Sequence, residues 1–172
     1  MLWGPESRGA GLVRALTAGF VHLSATHLVL NMLMLAVIGT EVERAVGSGP
    51  YAVAYAAGIL GSSAAVLQFA FLTPTAGASG ALYALMAVFV AIAYRRHVDP
   101  RPALILLAGN VVYTLVASDV SVWGHAGGLV AGALMAWPVT SPSVRTRWVA
   151  AWVALAVCTV STVCTVCTAS AG

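Results

Sequence analysis

The stretch GASGALYAL, residues 77–85, decides how this chain is read, because a turn of small residues passes there into an apolar helix with Ser79 at the junction. A second island of the same character, GHAGGLVAG at residues 124–132, opens a later apolar helix and carries His125. A hydroxyl and an imidazole taken into hydrocarbon cost free energy wherever they lack a partner, so the pair calls for a chemical role.

Around these islands the 172 residues are 60% hydrophobic and only 8% charged, with mean hydropathy +0.95. That is more apolar surface than a soluble single domain of this size needs. Apolar runs near the ~20 residues that cross ~30 Å of hydrocarbon recur between short polar breaks. The chain therefore reads as one all-α polytopic membrane protein with about six spans. The net charge of +3 and the pI near 9.0 come from loop residues and act as topology signals, so nucleic acid is not an expected partner and the lipid bilayer is.

Residues 1–26 read as an irregular, partly apolar lead-in. Spans are expected at about 27–46, 51–71, 79–94, 102–117, 124–138 and 148–169, the breaks falling at polar, Gly and Pro residues such as Gly47, Pro50, Pro74 and Pro102. All eight basic residues are arginines: Arg44, Arg95, Arg96, Arg101, Arg145 and Arg147 fall on one side, Arg8 and Arg14 on the other. The arginine-rich side is expected to be cytoplasmic, which puts the lead-in outside and sends the first, third and fifth spans down in parallel.

In that topology His27 and Asn31, Ser79, and His125 all begin their spans at the extracytoplasmic end. Residues four apart share a helical face, so His27 and Asn31 project toward one point. The third span is short, about 24 Å at ~1.5 Å per residue, so its start is expected to be recessed behind the 73–78 loop. Non-helical backbone at that depth is tolerated only inside protein or beside a water-filled cavity. The chemistry suggested is acyl transfer, with Ser79 the nucleophile and His125 the base. The oxyanion donors are His27, the Asn31 amide and the Ser79 backbone N–H, aided by helix N-termini. Of the five carboxylates, Glu41, Glu43 and Asp99 belong to the opposite side; Glu6 and Asp119 are topologically open, and a dyad without an acid is expected.

Together these motifs resemble the rhomboid intramembrane serine proteases, in order and spacing, over roughly residues 10–140. Gly77, Ala78, Ser79 and Gly80 match the family's glycine, any residue, serine, glycine signature. The resemblance implies that Tyr83 packs against the histidine and that Gly128 and Gly132 let two helices approach. His27 and Asn31 match the family's oxyanion pair, His22 a further histidine upstream, and Glu43, Arg44 and Gly47 the loop after that helix. By resemblance, residues 1–26 are the extracytoplasmic lead-in loop, 27–140 the rhomboid-like catalytic core, and 141–172 a linker with an additional C-terminal transmembrane helix. The implied partners are transmembrane protein substrates with a helix-weakening sequence near the outer end, entering between the helix begun by His27 and that begun near Pro102, beneath a cap at 118–123. The implied setting is multi-pass in a bacterial-type plasma membrane, with the active site extracytoplasmic and neither metal nor organic cofactor. Two departures stand out. The family's first helix is lacking, with residues 1–4 expected to be its end, and the lead-in reads Val13 and Arg14 where the family has tryptophan and arginine.

Each motif alone has an ordinary meaning. GASG and the Gly124, Gly128, Gly132 series are small-residue spacings for helix packing, and a buried serine is commonly bonded to its own helix. The soluble esterase elbow needs glycine two positions after the serine, where Ala81 stands. A zinc protease helix needs glutamate after His27 and histidine four positions on, where Leu28 and Asn31 stand. Cys158, Cys164 and Cys167 read as small packing residues of the last span. No cleavable signal or lipidation motif is read, so insertion is expected through the spans. The alternative function is a catalytically inactive rhomboid-like protein that binds transmembrane helices; a transporter would need internal repeats that this sequence does not show.

Overall fold

The computed structural model describes residues 1–6, 11–117 and 120–171. Among these the chain is helical apart from turns and one isolated antiparallel β-bridge. The helices are α1 (Gly11–Thr17), α2 (Ala25–Met34), α3 (Thr40–Val46), α4 (Ser48–Phe69), α5 (Ser79–Arg95), α6 (Arg101–Val116), α7 (Val122–Val139) and α8 (Val144–Ala171). A π-helical turn at Leu35–Gly39 joins α2 to α3, so 25–46 form one continuous apolar span. That span, α4, and residues 144–168 of α8 are each long and apolar enough to cross a bilayer. The shorter α5 and α6 are also apolar, and α7 carries glycines and His125 among its apolar residues.

Helix α5 lies with α4 and α7 at the centre of the bundle. It packs most extensively on α7 and α4, while α8 lies along α4 and touches α7. In lipid no hydrophobic force pulls helices together, so close backbone approach and interhelical hydrogen bonds have to do it. The small residues show where this happens. A β-carbon at Gly128 of α7 would overlap the Gly80 carbonyl of α5, and one at Gly132 the Ala84 backbone. On another face of α7, a β-carbon at Gly127 would lie 2.5 Å from the Gly61 carbonyl of α4. The buried Thr162 hydroxyl of α8 shares its proton between the Cys158 carbonyl of its own helix at 2.8 Å and the Leu60 carbonyl of α4 at 3.1 Å, and Ser63 of α4 donates to the Ala15 carbonyl of α1 at 2.7 Å.

Arginines close the end of the bundle remote from Ser79. Arg95, at the C-terminus of α5, donates to Thr140 at 2.8 Å and to the Trp137 carbonyl at 2.7 Å, with its guanidinium 4.0 Å over the Trp137 ring. Arg147 donates to the Val46 carbonyl at 3.3 Å, where α3 ends. Cations at helix C-termini also meet the negative end of the helix dipole.

The described residues of the lead-in are more ordered than their sequence suggests, and residues 1–4 are not the end of a helix. Leu2 is fully buried and pairs with Thr75, N–H to carbonyl at 2.7 Å and the reverse at 2.8 Å; Gly4 N–H reaches the Phe71 carbonyl at 3.0 Å. The loop before α5 has unpaired backbone groups at depth, and the first residues supply partners for them. Glu43 and Arg44 likewise lie in the last turns of α3 rather than in a loop, with Gly47 ending the helix at φ 93°.

Candidate active site

Three helix starts meet at one end of the bundle. Ser24 caps α2 by accepting the His27 N–H at 3.1 Å, and Ser121 caps α7 by accepting the Gly124 N–H at 3.1 Å. Helix α5 begins abruptly at Ser79, after a turn in which Gly77 has φ 126° and donates its N–H to Ala18 at 3.0 Å. As the first helical residue, Ser79 has no carbonyl one turn earlier to take its N–H.

The close contact of α5 and α7 at Gly80 and Gly128 brings the serine and histidine together. His125 Nε2 lies 2.8 Å from Ser79 Oγ, the histidine buried and the serine half-buried. Tyr83, one turn beyond Ser79 on the same face, stacks on the His125 ring with centroids 4.4 Å apart and planes 15° apart. The face of the imidazole is thus covered while its Nε2 edge stays on the serine.

Two polar residues that the sequence reading passed over complete the surroundings of His125. Thr114 of α6 places Oγ1 2.7 Å from His125 Nδ1 and donates to the Asn110 carbonyl at 2.9 Å. The Tyr83 hydroxyl lies 2.5 Å from the same carbonyl and 2.5 Å from Thr114 Oγ1, so the two hydroxyls share one hydrogen bond and the carbonyl accepts from the other proton. The available signal was two polar residues four apart within a span, Asn110 and Thr114.

On the other side of Ser79, the His27 ring lies against the Gly77 turn; a β-carbon at Gly77 would come within 2.7 Å of His27 Cε1. Gly77 is therefore needed twice, for its backbone conformation and for the space His27 fills. Asn31 is buried, and its amide donates to the His27 carbonyl at 2.8 Å, leaving its second N–H for another acceptor. His22 stands edge-on to His27, centroids 5.2 Å apart, with its buried Nε2 lacking a hydrogen-bond partner among the described residues. The structure thus gathers Ser79, His125, Tyr83, Gly77, Gly80 and Gly128 closely, with His27 and Asn31 across the turn; Gly132 lies one turn deeper and only packs. Asp119, weighed as an acid for His125, lies outside the described residues, as does the side chain of Glu6.

A membrane bundle of α-helices with a serine and a histidine joined at one end defines a class, and its relatives name it. Residues 9–142 match the Rhomboid domain, and the chain belongs to the rhomboid family. It is an integral membrane protein, from a family that includes intramembrane proteases. It is 34% identical over 125 residues to Rhomboid protease GluP of Bacillus subtilis (strain 168), covering 69% of this chain and 24% of that protein. It is 31% identical over 134 residues to Rhomboid protease GlpG of Klebsiella pneumoniae (strain ATCC 700721), covering 72% of this chain and 47% of that protein. With Rhomboid-related protein 2 of Mus musculus it shares 33% identity over 118 residues, 67% of this chain and 38% of the relative. The chain matches less than half the length of each.

Proposed function

We propose that this chain is a serine endopeptidase that hydrolyses a peptide bond in or near a substrate's transmembrane helix. The observation that carries the reading is the 2.8 Å contact between Ser79 Oγ and His125 Nε2 at the meeting point of three helix starts. Ser79 Oγ attacks the scissile carbonyl as His125 Nε2 takes its proton; the imidazolium then returns that proton to the leaving amine. An acyl-enzyme on Ser79 results, and a water activated by His125 releases it. The tetrahedral oxyanion is held by the Ser79 N–H, the second Asn31 N–H and His27, in the field of the α5 N-terminus. Tyr83 restricts the His125 ring, and Gly77, Gly80, Gly128 and Gly132 permit the backbone approach that sets the distance.

In this reading residues 27–140 form the catalytic core, 1–26 the lead-in that packs on the turn before Ser79, and 141–172 a linker and additional helix. Substrate helices enter between α2 and α6, whose outward faces are apolar and which have little packing with each other. The arginine asymmetry supports an extracytoplasmic site, and the bacterial relatives support a bacterial-type plasma membrane.

The test is covalent labelling. A fluorophosphonate is expected to label the purified, folded chain at Ser79 and to leave Ser79→Ala and His125→Ala unlabelled. A folded wild-type chain that resists the probe would overturn the protease and favour a rhomboid-like protein that only binds transmembrane helices.

A further inference from the structure

We infer that Thr114 is a positioning residue: its hydroxyl, backed by the Asn110 carbonyl, accepts the His125 Nδ1–H and so takes the place of the acid that a serine hydrolase triad sets behind its histidine. The inference rests on the proposed Ser79 and His125 chemistry and adds a residue from a helix, α6, that contributes nothing else to the dyad.

Proton counting supports the direction of these bonds. To accept the Ser79 proton, His125 Nε2 must be bare, so the one proton of the neutral ring sits on Nδ1. After the transfer both nitrogens carry protons, and Nδ1–H still needs an acceptor. Thr114 Oγ1, at 2.7 Å, is placed to serve in both states. A hydroxyl has one proton to give, and Thr114 has a better place to send it than the ring. The Asn110 carbonyl, 2.9 Å away, can only accept, and the Tyr83 hydroxyl points at the same oxygen. The two hydroxyls, 2.5 Å apart, share a hydrogen bond; whichever donates, the Thr114 proton goes to the Asn110 carbonyl or to the Tyr83 oxygen, and a Thr114 lone pair is left for Nδ1. Among the described residues, the groups facing His125 from the elements around it are Ser79 and Tyr83 on α5, Thr114 on α6 and His27 on α2. None of these is a carboxylate, and the neutral Thr114 oxygen is the one placed on Nδ1.

The site is built rather than incidental. Thr114 is one of only two buried residues on α6, the other being Ala103 near the opposite end. A threonine back-bonded to its own helix is ordinary; one whose oxygen also meets a histidine of a second helix and a tyrosine of a third is not explained by that habit. Because the acceptor rides on α6, His125 is fully oriented only while that helix is seated against α5 and α7.

The experiment compares the full chain with Thr114→Val, Thr114→Ser and Ser79→Ala in detergent micelles, each shown to be folded by thermal unfolding. A fluorophosphonate is the probe, and the maximal labelling rate is separated from the probe's apparent affinity. Thr114→Val, which keeps the shape and removes the acceptor, is expected to lower the maximal rate about 10- to 100-fold with affinity unchanged, and Thr114→Ser to recover it to within about 3-fold. In parallel, 15N spectra of histidine-labelled protein are expected to show His125 with its proton on Nδ1 in the wild type and a mixture of tautomers in Thr114→Val. Labelling by Thr114→Val at the wild-type rate, or a loss in both rate and affinity that serine fails to rescue, would overturn the inference. If the wild type is not labelled at all, the protease reading falls by itself, and the 15N arm still decides whether Thr114 sets the tautomer.

Discussion

Helices α5 and α6 have nearly the same length, 17 and 16 residues, and both are apolar, yet eleven residues of α5 are buried against two of α6. The difference lies in side-chain size. Helix α5 presents Gly80, Ala81 and Ala84 to the glycines of α4 and α7, and neighbouring backbones come close enough for carbonyls to touch Cα atoms. Helix α6 turns Ile105, Val112, Leu115 and Val116 outward, where acyl chains receive them as well as protein would. The same contrast separates their roles. The central helix carries Ser79 in fixed geometry, and the peripheral one carries a polar pair that reaches the histidine from outside.

Glycine substitutions test this contrast most directly. Gly128→Val drives methyl groups into the Gly80 carbonyl and is expected to destabilise the bundle by at least about 3 kcal/mol, read as a lowered unfolding midpoint in micelles. Failure to see that loss would mean the α5–α7 seam is not where the bundle is held. Asn31→Ala, across the turn from Ser79, should cost ~3 kcal/mol of transition-state stabilisation, on the order of a 100-fold slower labelling rate, while the fold persists. Equal rates for the variant and wild type would remove Asn31 from the oxyanion site. Thr162→Val deletes the hydroxyl that joins α8 to Leu60, and about 0.6 kcal/mol is expected to be lost in unfolding with labelling untouched. At the small end stands Gly109→Ala on α6: an added β-carbon there meets nothing within 4 Å, and unfolding should be unchanged or later by up to ~1 kcal/mol. A marked destabilisation at Gly109 would show that α6 is packed more tightly than its exposure implies.

Much of this was legible in the residues. The spans emerge from apolar run length, and observed ends differ from the expected ones by a few residues: α4 is Ser48–Phe69 against an expected 51–71, and α8 begins at Val144 rather than 148. The early start of α8 has a plain cause, since Ser143 can cap it and Arg147 is held at the membrane end by the Val46 carbonyl. Ser79 and His125 stood out because polar groups are costly in spans. Thr114 did not, because a threonine can satisfy itself on its own helix and so raises no alarm in a sequence. The pairing of Leu2 with Thr75 was equally silent: it uses backbone groups that every residue possesses.

What the sequence determined by itself was the medium and the list of reactive groups, since apolar length and the rarity of charge are properties of the chain whatever its shape. Tertiary structure alone decided that Ser79 Oγ and His125 Nε2 stand 2.8 Å apart and that Thr114 lies behind the ring. The first distance depends on how closely α5 and α7 approach, which glycines on the facing helices set, and the second on where α6 seats Thr114; no spacing within one segment names these partners.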